Sequence, residues 1–251
     1  MIPKIIHLCW LSGDPYPAKI EKCIQSWNKN LPDYEIMIWD TKRFDIEKNI
    51  WVKQAFEKKK YAFAADYIRF YALYHYGGIY LDSDVEVLKS FNDLLGLPYF
   101  MGAEKAGTIE AAIIGTEQGQ DWTKACLNYY ADRKFIKEDN SLDIRKVPEI
   151  MGEVIQKIKP IHILTPTEAK NMDVLDFHQE VIVMPDIYFS PKIFDSREVI
   201  ITPETYAIHH YQNSWFSHKA YAYYRIRSVA IRILGYNFIH ALEKRLILKN
   251  K

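Results

Sequence analysis

The stretch from Tyr61 to Asp84 constrains the fold more than any other part of the sequence. Ala62, Phe63, Ala65, Ile68 and Phe70 make residues 61–76 a helix that is apolar almost all round, and such a helix has to be buried. Gly77-Gly78 stop it, as glycine does just past a helix C-terminus. Ile79-Tyr80-Leu81 then reads as a short buried strand that runs directly into Asp82-Ser83-Asp84. The two carboxylates therefore arrive at the C-terminal end of a strand, the edge at which open α/β sheets bind ligands. Strand side chains alternate, so an extended Asp82-Ser83-Asp84 places both carboxylates on one side.

The flanking sequence continues the α/β pattern. Residues 4–10 read as a buried first strand, residues 17–29 as a helix with Ile20, Cys23, Ile24 and Trp27 on one face, and residues 34–39 as a second strand. This β-α-β order favours parallel pairing. Strands are expected again at 98–103 and 110–115, helices near 120–131 and 148–158, and Pro-punctuated strands near 181–184 and 199–209. Residues 132–147 read as a polar surface excursion. From Ser217 the pattern is helical, with Ala220, Tyr223, Tyr224, Ile226, Val229 and Ile233 as an apolar stripe flanked by basic residues.

A chain of 251 residues fits one α/β domain with a sizeable core, or at most two small ones. We divide it into a domain over 1–216 and a basic amphipathic helical tail over 217–251, packed on the domain or on a membrane surface. The 33 basic and 32 acidic side chains nearly cancel, which gives no general attraction to nucleic acid. The balance hides an uneven distribution. Lys219, Arg225, Arg227, Arg232, Lys244, Arg245, Lys249 and Lys251 face Glu243 alone in the last 34 residues. A basic amphipathic helix of this kind can lie on an anionic leaflet, each basic residue contributing about 1 kcal/mol near the surface. Cys9, Cys23 and Cys126 show neither metal-site nor paired spacing and read as reduced thiols. No run reaches the ~18 apolar residues of a spanning helix, and the start resembles no signal peptide. These features suggest a cytoplasmic protein, peripheral at most on the inner leaflet of the plasma membrane.

Two carboxylates on one side suit a hard divalent cation, and such a cation can hold a diphosphate. Asp66 and Arg69 are spaced i, i+3 and share a face of the preceding helix. A charged pair on an otherwise apolar helix points to a pocket lining. Two other uses of such carboxylates are disfavoured. A calcium loop requires glycine at its sixth position, where Val87 stands, and a haloacid-dehalogenase-type phosphatase requires an Asp ending its first strand. His7 reads as a satisfied core histidine, and Glu104 and Glu110 as surface carboxylates.

Residues 65–85, through Ala65-Asp66-Tyr67-Ile68-Arg69 and Gly77-Gly78-Ile79-Tyr80-Leu81-Asp82-Ser83-Asp84, resemble the signature of the Asp-x-Asp sugar transferases of glycosyltransferase family 32. That group includes capsular and surface-polysaccharide enzymes and is related to the catalytic domain of the glucosylating clostridial toxins. Ile2-Pro3-Lys4-Ile5-Ile6-His7 with Trp10 is similar to the family's first strand. Tyr206-Ala207-Ile208-His209-His210, followed by Ser214-Trp215, is similar to its C-terminal motif. The resemblance implies an α/β fold of GT-A (Rossmann-like) type with a mixed central sheet. It implies a metal-dependent, retaining transfer of a hexose or N-acetylhexosamine from a nucleotide-sugar, most simply a UDP-sugar. The acceptor it implies is a growing surface or capsular oligosaccharide, carried on lipid.

The resemblance also implies residue roles. Trp10 would stack on the base, Asp66 and Arg69 would fix ribose and donor sugar, and Tyr80 would lie beside the nucleotide. Asp82 would reach ribose or sugar hydroxyls and the metal, directly or through water. Asp84 would ligate Mn2+ or Mg2+ directly, with His209 as a further ligand, and Ser214 and Trp215 would close over the diphosphate. Adjacent strand residues face opposite ways, so only one of His209 and His210 can face the metal, and His209 is the choice. One departure stands out. Glu110-Ala111-Ala112 occupy a strand where the family usually carries an Asn close to the donor, which points to an altered donor preference. The competing readings are a metal-dependent phosphohydrolase or phosphotransferase using the same carboxylates, and a non-catalytic sugar- or membrane-binding module.

Overall fold

The computed structural model describes residues 1–104, 107–171, 175–193, 198–211 and 218–249. The chain divides into two units, residues 1–191 with 201–210 and residues 192–200 with 211–251.

The first unit runs β1 (Ile5–Cys9), α1 (Ala18–Asn30), β2 (Glu35–Trp39), α2 (Ile50–Glu57), α3 (Tyr61–Tyr76), β3 (Gly78–Leu81), β4 (Val85–Val87), β5 (Tyr99–Ala103), β6 (Ile109–Thr116), α4 (Asp121–Tyr129), α5 (Val147–Gln156), β7 (Ile161–Ile163), β8 (Val181–Val183), α6 (Asp186–Phe189) and β9 (Ala207–His209). Its main sheet has the order β2-β1-β3-β6-β5. β1 lies parallel to both β2 and β3, whereas β3, β6 and β5 pair antiparallel. A parallel half thus joins an antiparallel half at β3, the mixed central sheet that the sequence led us to expect.

Helix α3 has the anticipated bounds and packs Phe63, Ile68, Phe70, Ala72 and Leu73 against the sheet. Gly77 ends it at φ 63°, and Gly78 follows at φ 94°. A Cβ on Gly78 would lie 2.7 Å from the Ile5 carbonyl oxygen, so the close approach of β3 to β1 admits no side chain there. Alternation along β3 sends Tyr80 to one core layer, with Trp39, Trp51 and Phe70, and sends Ile79 and Leu81 to the other, with Trp27, Phe100 and Phe189. Both faces of the sheet are therefore covered, and ligand access is left to its edges.

His7 is fully buried in β1, as its place in a buried strand suggested. Its Nδ1 accepts from the Trp39 indole at 3.1 Å, and its Nε2–H donates to the Gly77 carbonyl at 2.7 Å. Burial brings its pKa down to about 4, so it stays neutral and ties β1 to the end of α3.

Three parts of the unit differ from the sequence expectation. α2 was not anticipated, and it buries Trp51, Val52 and Ala55. The strand expected over 199–209 is confined to β9, which pairs with β4 rather than joining the main sheet. Asp82-Ser83-Asp84 is not extended. The Val85 N–H donates to the Asp82 carbonyl at 3.0 Å and closes a turn.

The second unit contains α7 (His218–Leu234) and α8 (Tyr236–Lys249), separated at Gly235 with φ 84°. Arg227 grips Glu243 through both carboxylate oxygens, at 2.7 and 3.2 Å, and so ties α7 to α8. Ile226, Val229 and Ile233 point outward, at 72%, 54% and 74% exposure, with Arg225 and Arg232 also exposed. None of the described helices is long and apolar enough to cross a membrane.

Candidate functional site

The site forms where parallel β1 and β3 end and antiparallel β6 begins. The Asp82 N–H donates to the Ala112 carbonyl at 2.8 Å, which holds the start of the Asp82–Val85 turn against β6. Beyond the turn, β4 pairs with β9 so that Val85 stands opposite His209. The His210 N–H then donates to the Asp84 carbonyl at 3.1 Å. Hydrogen bonding thus draws a segment more than 120 residues away in sequence up to the Asp pair.

One acceptor atom from each of Asp82, Asp84 and His209 falls within 4.8 Å of the others. His209 Nε2 lies 3.5 Å from Asp84 Oδ1. His210 turns away and meets Glu86 at 2.8 Å. The turn, rather than strand alternation, is what brings the carboxylates together. Two carboxylates and an imidazole are a donor set that suits Mn2+, and the carboxylates also suit Mg2+.

Asp66, Arg69 and Tyr80 form a second group joined to the first through Asp82. The Arg69 guanidinium donates to Asp82 at 3.0 Å, stands 3.6 Å from Asp66 and lies over the Tyr80 ring at 4.4 Å. The Tyr80 hydroxyl donates to the same Asp82 oxygen at 2.8 Å. Arg69 is buried, yet its Nε and Nη1 find no partner among the described residues. Buried donors left this way call for an acceptor that the protein itself does not supply. Burial pushes the Asp66 carboxyl up to about 7, with Arg69 pulling it down and Asp82 pushing it further up. Burial also raises Asp82, against the pull of Arg69 and His209.

Glu110, read from sequence as a surface carboxylate, is only 2% exposed. Its Oε1 accepts from the Ala112 N–H at 2.8 Å, and its Oε2 accepts from the Ser190 hydroxyl at 2.7 Å and from His209 Nδ1 at 3.1 Å. Burial alone would raise its pKa. The facing His209 and the hydrogen bonds outweigh burial and hold it down at about 2. Burial likewise works against charge on His209, but Glu110 and Asp84 on its two sides hold its pKa well above the usual value. The sequence did carry a signal here, since Glu110 is the single charge in the apolar run Ile109 to Ile114. Glu104, the other carboxylate read as a surface group, is pushed up to about 7 by burial and by Glu110.

Trp10 stands on the loop after β1. Its ring packs on Tyr16 at 4.7 Å, and its indole N–H donates to the Asp14 carbonyl at 2.7 Å. The structure thus brings Asp66, Arg69, Tyr80, Asp82, Asp84 and His209 into one connected cluster and places Trp10 at the end of the strand beside β3. Ser214 and Trp215 lie outside the described residues.

A mixed α/β sheet that gathers two carboxylates, an imidazole and a buried guanidinium at its switch point defines a site able to bind a cation and an anion together. Residues 17–101 match the family described as "Glycosyltransferase sugar-binding region containing DXD motif". Asp66, Arg69, Tyr80, Asp82 and Asp84 fall inside the match, and Trp10 and His209 outside it.

The curated relatives bear names of the same class. The chain is 28% identical over 150 residues to "Uncharacterized glycosyltransferase L373" of Acanthamoeba polyphaga mimivirus, covering 57% of this chain and 60% of that protein. It is 31% identical over 122 residues to "Inositol phosphoceramide mannosyltransferase 3" of Schizosaccharomyces pombe, covering 47% and 34%. It is 33% identical over 108 residues to "Mannosyl phosphorylinositol ceramide synthase SUR1" of Saccharomyces cerevisiae, covering 40% and 27%. The chain therefore spans under two thirds of the viral protein and about a third or less of the two fungal ones. Among solved structures, the one titled "PaToxG Glycosyltransferase" superposes with a TM-score of 0.46 at 21% identity, over 62% of this chain and 70% of that one.

Proposed function

We propose that this chain is a retaining, metal-dependent glycosyltransferase. It moves a hexose or N-acetylhexosamine from a nucleotide-sugar, by preference a UDP-sugar, to a lipid-linked surface or capsular oligosaccharide. The observation that carries the reading is the convergence of Asp82, Asp84 and His209 beside a buried Arg69 with two donors that have no partner among the described residues. The names of the fungal relatives, which specify transfer of mannose to an inositol phosphoceramide, support a hexose and a lipid-borne acceptor.

In this reading Asp84 and His209 hold Mn2+ or Mg2+, and Asp82 holds it directly or through water. When bound, the cation neutralises charge on the departing nucleoside diphosphate. Arg69, fixed in place by Asp66, Asp82 and the Tyr80 ring, offers its Nε and Nη1 donors to the donor sugar or phosphate. Asp66 accepts from ribose or sugar hydroxyls, Tyr80 lies beside the nucleotide, and Trp10 stacks on the base.

The test is turnover of a panel of UDP-, GDP- and CMP-sugars with Mn2+. The expected result is release of the nucleotide from one base family, abolished by EDTA and restored by Mn2+. Phosphate release from simple phosphoesters without turnover of any nucleotide-sugar would overturn the reading in favour of a phosphohydrolase.

The same proposal places the enzyme in the cytoplasm, at an anionic inner leaflet, through residues 218–251. The exposed Ile226, Val229 and Ile233 with the basic excess of that segment support it. Flotation with vesicles containing anionic lipid is expected to carry the protein upward at low salt and to release it at high salt. Equal behaviour with neutral and anionic vesicles would sink the leaflet proposal.

A further inference from the structure

Glu110 has no part in the roles assigned above, yet both of its oxygens accept hydrogen bonds beside the site. It lies on β6, outside the segment that matches the family, and both of its oxygens are engaged from inside the protein. We propose that Glu110, braced by Ser190, is a positioning residue that holds the His209 ring with Nδ1–H turned inward and Nε2 presented to a divalent cation beside Asp82 and Asp84. The inference rests on the metal-site reading above.

An imidazole ligates a metal only through a nitrogen that carries no proton, and the partner of the other nitrogen decides which one that is. Here the partner of Nδ1 is the Glu110 carboxylate, which accepts and cannot donate, so Nδ1 keeps its proton, and the proton that Nε2 carries toward Asp84 in the metal-free protein is the one a cation displaces. Nε2 is the nitrogen that faces Asp84, at 3.5 Å. A carboxylate in this place also fixes the plane of the ring and raises its basicity as a ligand.

Ser190 and the Ala112 N–H give Glu110 its own rigidity. Each oxygen is pinned by a donor besides His209 or opposite it, so the carboxylate cannot swing away. Among the described residues three donors converge on this one group, and glutamine cannot answer all three. Its amide nitrogen would meet either the Ala112 N–H or the pair formed by Ser190 and His209. Stability alone does not explain the arrangement, because a buried ion pair is often matched or bettered by apolar residues of the same volume.

The test measures binding of Mn2+ by electron paramagnetic resonance, with and without UDP, in the wild type, Glu110→Gln, His209→Ala and the double variant. Glu110→Gln is expected to weaken Mn2+ binding roughly 10- to 100-fold. In the His209→Ala background the same change is expected to move the affinity less than about twofold, since its effect passes through the ring. Should Glu110→Gln fail to fold, Ser190→Ala decides the matter. It keeps the carboxylate but frees one oxygen, and a loss of affinity that disappears in His209→Ala is expected. Mn2+ binding by Glu110→Gln or by a folded Ser190→Ala equal to that of the wild type overturns the inference and leaves the metal reading intact. An undiminished effect of Glu110→Gln in the His209→Ala background also overturns it, because Glu110 would then act independently of the ring. Absence of Mn2+ binding by the wild type overturns the metal reading itself, and the inference with it.

Discussion

Asp84→Asn is expected to cut sugar transfer by roughly three orders of magnitude while leaving the protein folded. Asp84 is buried to 9% exposure, and its carboxylate faces His209. Asparagine keeps the shape and the backbone acceptor used by the His210 N–H, so the β4–β9 junction persists. What is lost is the negative charge that a hard cation requires. A metal acting on a departing diphosphate contributes several kcal/mol to the transition state, and each 1.36 kcal/mol is tenfold in rate. Binding of the bare nucleotide should survive better than turnover, because Arg69 and His209 remain. Initial rates at saturating Mn2+ and donor check this. Transfer at the wild-type rate would show that Asp84 holds no metal, and a binding module with no chemistry would show no transfer in either protein.

Arg69→Met is expected to lower stability by about 3–5 kcal/mol at neutral pH, the scale for breaking a buried charge cluster by removing one partner. Arg69 is 4% exposed, and its loss leaves Asp66 and Asp82 facing each other without a cation. The pH dependence has a definite sign. Both carboxyls already titrate above their ordinary value of 3.8 in the folded protein, Asp66 at about 7. A group raised in this way contributes stability at low pH and loses it as pH climbs from its unfolded value through its folded one. Removing Arg69 raises both groups further, so the deficit should be larger at pH 8 than at pH 5. Urea midpoints of both proteins at the two pH values test it. A deficit independent of pH would mean that Arg69 acts by packing alone.

The legible parts of this fold are those written in local sequence. Residues 61–76 needed only their apolar surround and Gly77-Gly78 to be read as a buried, terminated helix, and α3 has those bounds. Whether Asp82-Ser83-Asp84 stays extended is not legible in the sequence, because the hydrogen bond that closes its turn, from the Val85 N–H to the Asp82 carbonyl, leaves no mark in residue type. β4 and β9 are three residues each and exist through one another, and no periodicity announces a pairing across so many residues.

Glu110 was missed for a related reason. A carboxylate is surface by default, and only the distant arrival of Ser190 and His209 makes its burial tolerable. In the tail, the stripe of Ile226, Val229 and Ile233 was readable. What was not readable is that it faces outward, since the inward-facing positions are instead Ser228 and Ile231.

The central claim is that Asp82, Asp84 and His209 hold a divalent cation that in turn holds a nucleotide-sugar. The most direct test is the thermal unfolding of the wild type with UDP-, GDP- and CMP-sugars, each with and without Mn2+. Binding to the native state alone adds about 2.7 kcal/mol at a hundredfold excess over Kd. The account predicts a rise in Tm with one nucleotide family that requires Mn2+ and shrinks in Asp84→Asn. No rise with any nucleotide-sugar, or a rise that is the same without metal, would contradict it.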